Sequence, residues 1–541
     1  MNTAQPMYEW NTIPWHKLER TVFKLQRRIY RASLSGKRQQ VRKLQKLLLS
    51  SRSAKLLAVR RVSQDNSGRK TAGVDGVKSI NPKQRLELAK TLDQNHKVKP
   101  IRRVWIPKPG KKEKRPKGIP VMRDRASQAL VKMALEPEWE AKFEGNSFGF
   151  RPGRNCHDAI QAIHDMLRHH GKFVLDADIA GCFDNINHDV LLDKINTYPK
   201  LRRLISNWLK AGIMDGDNYT KPKAGTPQGG VASPLLANIA LHGMENIIKS
   251  ISKKAYFVRY ADDFIVLHND LKIIQNCKKA LEIWLNNIGL ELQPSKTKIT
   301  HTLNEYEGNL GFDFLGFNIR QYQMSKYRSG KRGKGFKTLI KPSKDSIKGH
   351  LNKVREILDK GKALPTSAII KQLNPVIRGW TKYFSTEVSS EAFKWLTHKT
   401  VLMLMRWSRR RHPKKSLTWV GKKYFTTHKG YQWVLYDGEL KLLRHSETPI
   451  KRWIKIAGNR SPYDGDWVYW SKRMAKYPQL SKEKSYLINQ QKGICPHCKL
   501  HFNTNDLLEV HHIDGNHHNN KWNNRQLLHR HCHDMVHKTN A

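Results

Sequence analysis

The chain has 541 residues, room for about three or four domains with sizeable cores, and carries 100 Lys and Arg against 45 Asp and Glu, a formal charge of +55. Charge of that size opposes compaction unless a polyanion neutralises it, which sets aside roles without such a partner and points to a long nucleic acid. Six Cys, three scattered and three near the C-terminus, fit a reducing compartment rather than a disulfide framework, and no apolar run is long enough to span a membrane. The N-terminal stretch holds Glu9 and Glu19 and lacks an apolar signal core, so the expectation is a mature, intracellular chain.

Leu18, Val22, Leu25 and Ile29, then Val41, Leu44 and Leu48, keep helical spacing among basic residues and predict amphipathic basic helices. Residues 101–125 hold two short extended runs around a Pro/Gly-rich basic turn, a hairpin able to close over phosphates. Ser127 to Phe143 reads as a helix, and Phe150-Arg151-Pro152-Gly153-Arg154 as a turn before another. Lys172 to Ile179 predicts a strand with Asp176 and Asp178 on one face. Gly225-Thr226-Pro227-Gln228-Gly229-Gly230 is a turn that opens a mostly apolar helix through Leu241. Phe257 to Leu267 predicts a tight β-hairpin with Tyr260-Ala261-Asp262-Asp263 at its tip. The alternation of strands and helices gives an α+β fold with the acidic strand ends as the site.

The Gly330–Gly335 stretch lacks a Gly-Lys-Ser/Thr ending, so it reads as a flexible basic linker rather than a P-loop. Beyond it the strands are expected to cease. Ser343 caps a helix marked by Ile347, Leu351, Val354 and Leu358, and Ile369 to Ile377 and Phe393 to Trp407 predict two more. From Trp419 to Tyr477 aromatics recur among lysines and arginines, with Trp433, Trp453, Trp467 and Trp470 prominent; the mixture suits base stacking, although half or more of the rings are expected to make a core.

An Asp pair on a hairpin tip is costly without a cation, and Mg²⁺ takes carboxylate oxygens while keeping places for phosphates. Asp178 and Asp262, brought together from two strands, are the expected pair for two such ions, with Asp263 contributing less because successive side chains on extended backbone diverge. Near the C-terminus, Cys495-Pro-His-Cys498 and His529-Arg-His-Cys532 make a four-ligand zinc set, with His529 and Cys532 three apart and so placed to share a face of one helix. His531 or His501 is an alternative to His529.

Ile106-Pro-Lys-Pro, Phe148-Gly-Phe-Arg-Pro-Gly, Asp178-Ile-Ala-Gly-Cys-Phe-Asp-Asn, Thr226-Pro-Gln-Gly-Gly, Tyr260-Ala-Asp-Asp and Phe314-Leu-Gly-Phe occur in that order. With them the chain resembles group II intron-encoded reverse transcriptase/maturases that carry an HNH endonuclease domain. The resemblance implies a right-hand polymerase with a helical thumb that doubles as the maturase domain, a basic DNA-binding segment and a small zinc-containing ββα-metal HNH domain. The corresponding divisions are 1–90 (N-terminal basic helical extension and fingers), 91–335 (fingers and palm), 336–418 (thumb and maturase domain X, with Asn374-Pro-Val-Ile-Arg-Gly-Trp380), 419–484 (DNA-binding) and 485–541 (HNH).

By that resemblance Asp178, Asp262 and Asp263 bind the catalytic Mg²⁺ ions. Phe183 stands against the sugar 2′ position and selects dNTPs, Gln228 touches nucleotide or template, and Lys108 and Arg115 grip the triphosphate. His512 is the general base of the nuclease, Asn524 orients its loop, and His511 with His533 holds a divalent metal on the scissile phosphate. The implied partners are intron RNA, target DNA and dNTPs, and the implied activities are RNA-directed DNA synthesis, splicing assistance and second-strand cleavage for homing. The alternatives are a splicing-only maturase with an inactive polymerase, another bacterial retroelement polymerase such as a retron enzyme, and, for the C-terminus, a zinc knuckle that only binds nucleic acid.

Overall fold

A computed structural model of the chain describes residues 9–107, 113–325, 335–478, 480–502 and 506–539. Lys108 and residues 330–334 of the expected basic linker lie outside the described residues. The amphipathic N-terminal segments form helices Trp15–Leu34, Arg38–Ser50 and Arg52–Arg60. Their apolar faces, including Val22, Leu25, Ile29, Val41, Leu44 and Leu48, pack in one core with helix Met122–Glu140, which is buried on nearly every side. That helix starts and ends a few residues before the sequence expectation of Ser127 to Phe143.

Strands Ile101–Pro107 and Lys114–Ile119 pair antiparallel, as the two extended runs predicted, and the first of them also pairs parallel with Ile213–Asp215. A second four-stranded sheet carries the acidic residues, in the order Tyr256–Tyr260, Asp263–His268, Phe173–Asp178, Lys298–His301. Its inner side chains Val174, Val258, Ile265 and Leu267 join a core with Ile160, Ile163, Phe312, Phe317 and Ile319.

Strands do not cease after the linker. Phe336–Pro342 pairs along its whole length with Phe317–Gln323. The chain hid it because Lys337 and Lys341 break the apolar run, while Ile340 is the position that enters the core. Helices Lys344–Lys360, Thr366–Phe384 and Ser390–Arg411 follow as a bundle, with the Ser343 side chain accepting from the Ser346 N–H at 3.2 Å. Asn374 fastens the next segment to this bundle: its amide donates to the Lys441 carbonyl at 3.0 Å and its oxygen accepts from the Leu443 N–H at 2.8 Å.

Residues 419–484 do not stand apart. Helix Leu417–Tyr424 and strands Phe425–His428 and Tyr431–Asp437 share a core with the bundle through Val420, Tyr424, Leu435 and Leu404. The chain then returns to the acidic sheet, where Ile456 and Trp470 are buried beside Phe148 and Val258. Trp453 is buried as well, so neither it nor Trp470 is available to stack on a base, whereas Trp433 remains exposed. The return is fastened by Asp158, whose carboxylate accepts from the Trp453 indole at 3.0 Å, the Ile456 N–H at 2.8 Å and Arg473 at 2.6 Å, all of them buried. Removing one partner of a buried ion pair strands the other charge and costs about 3–5 kcal/mol. Asp158→Ala is therefore expected to lower the melting temperature sharply and expose residues 450–478 to protease; an unchanged melting curve would contradict this.

The C-terminal residues form a hairpin, Leu508–His512 with Arg525–His529, followed by helix Arg530–Thr539. Its small core contains Leu487, Phe502, Leu527 and Leu528. Among the described residues no helix is long and apolar enough to cross a membrane.

Candidate functional site

The sheet register brings the carboxylates together. Asp178, ending its strand, lies directly across from Asp263, the first residue of the neighbouring strand, and Tyr260 pairs with Asp263 on the other side. The turn therefore contains only Ala261 and Asp262, with Ala261 at φ +60°. Asp263 thus stands across from Asp178 in the register, and Asp262 lies in the turn just before it. Asp262 stays close, since its carbonyl accepts from the Ile179 N–H at 3.3 Å.

A left-handed alanine needs support, which comes from Arg259 on the same hairpin, itself held by residues far away in sequence. Arg259, 1% exposed, donates to the Ala261 carbonyl and to the Asn238 side-chain oxygen, both at 3.0 Å. Asn238 in turn donates to the Gly149 carbonyl at 2.8 Å, and the Phe148 N–H donates to the Arg259 carbonyl at 2.9 Å. A Cβ on Gly149 would sit 2.3 Å from the Ala261 nitrogen, so the Phe-Gly-Phe motif is needed for the backbone to pass under the hairpin tip. Burial lowers the Arg259 guanidinium to about 10, still charged at neutral pH. The sequence gives no local sign of this lock, because each partner comes from a different element.

The carboxylates are crowded. Burial first, then the neighbouring Asp176, Asp178 and Asp262, push Asp263 up to about 8. Burial also raises Asp262 and brings Asp176 to about 7. Lys296, which sequence reasoning missed, donates from its ammonium to Asp178, and that hydrogen bond raises its own affinity for the proton. Carboxylates pressed together until they hold protons near neutrality are a donor set that a hard divalent cation satisfies with oxygen ligands. The residues present thus fit Mg²⁺.

Phe183 lies on the one-turn helix Cys182–Asn185, with its ring 6.1 Å from that of Phe150 in an edge-on contact. The Phe183 carbonyl accepts from the Thr226 N–H at 2.5 Å, and a Cβ on Gly225 would meet the Asp184 carbonyl oxygen at 2.4 Å. The Gln228 carbonyl accepts from the Gly118 N–H at 2.7 Å, tying the Thr226–Gly230 turn to the basic hairpin. Phe183 and Gln228 line one cavity of about 340 Å³ together with Arg103, Gly118 and Asp184. Arg115 lies on the same hairpin, in strand Lys114–Ile119.

In the C-terminal module Cys495, Cys498, His529 and Cys532 are all buried, and their ligand atoms lie within 4.8 Å of one another. His529 is not on a helix with Cys532. It is the last residue of strand Arg525–His529, and Cys532 follows in the first turn of the next helix, so the strand–helix junction rather than helical spacing aims both inward. The His529 Nδ1 lies 3.3 Å from the Cys498 sulfur while Nε2 meets the Asp506 carboxylate at 3.2 Å, the arrangement in which a carboxylate orients a ligating imidazole. His531 instead faces Glu19 at 3.4 Å, and His501 stacks on Trp467, so neither alternative joins the set. The donor chemistry and compactness fit Zn²⁺.

A second group contains His511, His533 and His537, again with ligand atoms within 4.8 Å of one another. His537 was missed; its spacing of four from His533 on a helix was the available signal. Burial, then the His537 and His533 charges, lower the His511 proton affinity, which favours the neutral ligand form. Both His512 ring nitrogens are buried without a hydrogen-bond partner, and its ring lies 5.1 Å from that of His517. Asn524 fixes the loop after His512, donating to Asp514 at 2.8 Å and to the Asn519 carbonyl at 2.9 Å and accepting from the Asp514 N–H at 3.0 Å.

Residues 106–319 match the family model described as reverse transcriptase (RNA-dependent DNA polymerase), residues 10–92 that of the N-terminal domain of reverse transcriptase, and residues 347–425 that of the group II intron maturase-specific domain. The fold around the three aspartates is that of a reverse transcriptase. The chain is 32% identical to Protein YkfC of Escherichia coli strain K12, over 48% of this chain and 78% of that protein. It is 32% identical to the group II intron-encoded protein LtrA of Lactococcus lactis subsp. cremoris, over 52% of this chain and 58% of the relative's length. With Maturase-like protein 1 of Euglena gracilis the identity is 28%, over 68% of this chain and 76% of that one. The chain belongs to the group II intron reverse transcriptase/maturase family.

Proposed function

We propose that this chain is an RNA-directed DNA polymerase and splicing maturase of a group II intron, with a C-terminal HNH-type nuclease that cuts the second strand of target DNA. The observation that carries the reading is the convergence of Asp178, Asp262 and Asp263 at one hairpin tip in a protein of charge +55. Intron RNA, target DNA and dNTPs are the partners, and the bacterial cytoplasm the working compartment.

In this reading the three aspartates hold two Mg²⁺ ions. Bound there, Mg²⁺ supplies charge neutralisation and Lewis acidity for phosphoryl transfer to a 3′-oxygen. Arg115 and, by the family resemblance, Lys108 grip the triphosphate, and Gln228 orients the base pair. Phe183 presents its ring to the sugar and excludes a 2′-OH. In the C-terminal module Cys495, Cys498, His529 and Cys532 hold a structural Zn²⁺, and His511, His533 and His537 hold a divalent metal beside the scissile phosphate. His512 takes a proton from water, and Asn524 keeps its loop in place.

Primer extension on an RNA template tests the polymerase, with Phe183→Ala as the specificity probe. A group excluded from a shaped pocket is worth about 10–200-fold in discrimination, so the dNTP/rNTP ratio is expected to fall by about that factor; an unchanged ratio removes the gate role. Binding of single-stranded RNA should weaken with a log–log salt slope of about −0.7 per phosphate contact. A nearly salt-independent affinity would mean that the positive charge is not the binding surface.

A further inference from the structure

A cleft of about 740 Å³ is lined by the N-terminal helix Trp15–Leu34, the C-terminal Cys/His module and segments between them, with the helix and the module touching through Glu19 and His531. Phe150, whose ring meets Phe183 and whose neighbour Gly149 abuts the hairpin tip, lines the cleft. So do His529, a member of the Cys/His cluster, and Arg530 beside it. The acids on the walls are engaged: Arg60 pairs with Glu19 at 3.2 Å and Asp65 at 3.3 Å, and Lys132 pairs with Glu136 at 3.3 Å. Arg20, Lys24, Arg27 and Lys499 make no salt bridge among the described residues. The Arg27 Nε is also buried without a hydrogen-bond partner, a state that costs free energy unless a ligand supplies an acceptor.

Rings stand between these cations. Phe23 and Trp467 are 4.4 Å apart, and the Trp467 indole lies parallel to His501 within 7°. Cations that take phosphates, interleaved with flat rings that take bases, are the physical pattern of a single-strand site. The volume falls in the range of about 300–1,000 Å³ that encloses one drug-sized molecule, room for a few unpaired nucleotides and none for a duplex.

We propose that this cleft holds a single DNA strand passing between the C-terminal module and the polymerase aspartates. The inference rests on the functional reading above: a strand cut in one module and extended in the other is DNA and must cross the space between them. It assigns Arg20, Lys24, Arg27 and Lys499 to phosphates and Trp467 with Phe23 to bases.

The test uses the full chain and a single-stranded oligodeoxynucleotide carrying 5-iodouracil, photocrosslinked and mapped by peptide mass. Crosslinks are expected in the peptides containing Phe23 and Trp467. Arg20→Glu with Lys24→Glu, at exposed helix positions, should abolish them and flatten the log–log salt slope by about 1.4, two contacts at about 0.7 each. Lys24→Ala alone, with half that change in slope, serves should the charge reversal disturb folding. Crosslinks absent from both peptides, equal competition by duplex, or preferential crosslinking of an RNA of the same sequence would overturn the proposal. On target DNA the double variant should keep second-strand nicking and extension of a pre-annealed primer while losing the product that needs both in succession; coupled product at the wild-type level overturns the path. Failure of the wild-type chain to nick or to extend would contradict the functional reading instead.

Discussion

Asp263→Asn is expected to reduce DNA synthesis on a primed RNA template by about 10³-fold or more, since removing even one preorganised electrostatic group from a reacting centre costs about 10²–10³. The same change should stabilise the metal-free fold at alkaline pH. Asp263 is pushed up to about 8 from an ordinary 3.8, so the folded chain holds this proton more tightly than the unfolded chain does. Its contribution is a loss of stability that grows as pH rises from about 4 and is complete above about 8. Asparagine keeps the shape, cannot ionise and removes that loss. Melting temperatures in chelator at about pH 5.5 and about pH 8.5 should therefore differ less in the variant than in the parent. Equal pH dependence in the two proteins would show that Asp263 is not the crowded group.

Cys495→Ser should unfold the chain from about residue 486 onward while leaving the reverse-transcriptase fold intact. Three of the four expected zinc ligands, Cys495, Cys498 and Cys532, are themselves part of the module's small core, so little apolar packing remains without the metal. Structural zinc sites contribute apparent free energies of about 10–16 kcal/mol to folding. Zinc content, and protease cleavage after Lys482 and Lys484, report the loss. The helix Trp467–Ala475 just before the module should survive, because Trp470 and Arg473 are anchored in the core behind the acidic sheet. His512→Ala is the contrasting change, keeping zinc and protease resistance but losing second-strand nicking by about 10²–10⁴, the usual cost of a general base. Loss of zinc in His512→Ala would make His512 a structural ligand and favour a nucleic-acid-binding knuckle.

What the sequence displayed was local. The hairpin from Phe257 to Leu267 shows two apolar runs around a turn within eleven residues, and the four clustered Cys and His residues announce themselves by spacing. What it concealed depends on partners far apart along the chain. Arg259 holds the Ala261 turn through Asn238 and Gly149, and Lys296 reaches Asp178 from a different strand connection. Trp453 and Trp470 look like stacking residues in a basic stretch, yet their place is set by Asp158 and Arg473, with Asp158 some 300 positions earlier in the chain. His529 shows the limit of spacing arguments, for three residues apart means one helix face only when both residues are helical, and here the first ends a strand.

In the proposed function the three aspartates at the hairpin tip perform templated DNA synthesis. Incorporation of a single dNTP onto a DNA primer annealed to RNA, with RNA binding measured in the same samples, tests it most directly. The parent chain should extend the primer in the presence of Mg²⁺, and Asp262→Ala should bind RNA with unchanged affinity but add no nucleotide. Extension by Asp262→Ala near the parent rate, or none by the parent at any Mg²⁺ concentration, would contradict the account.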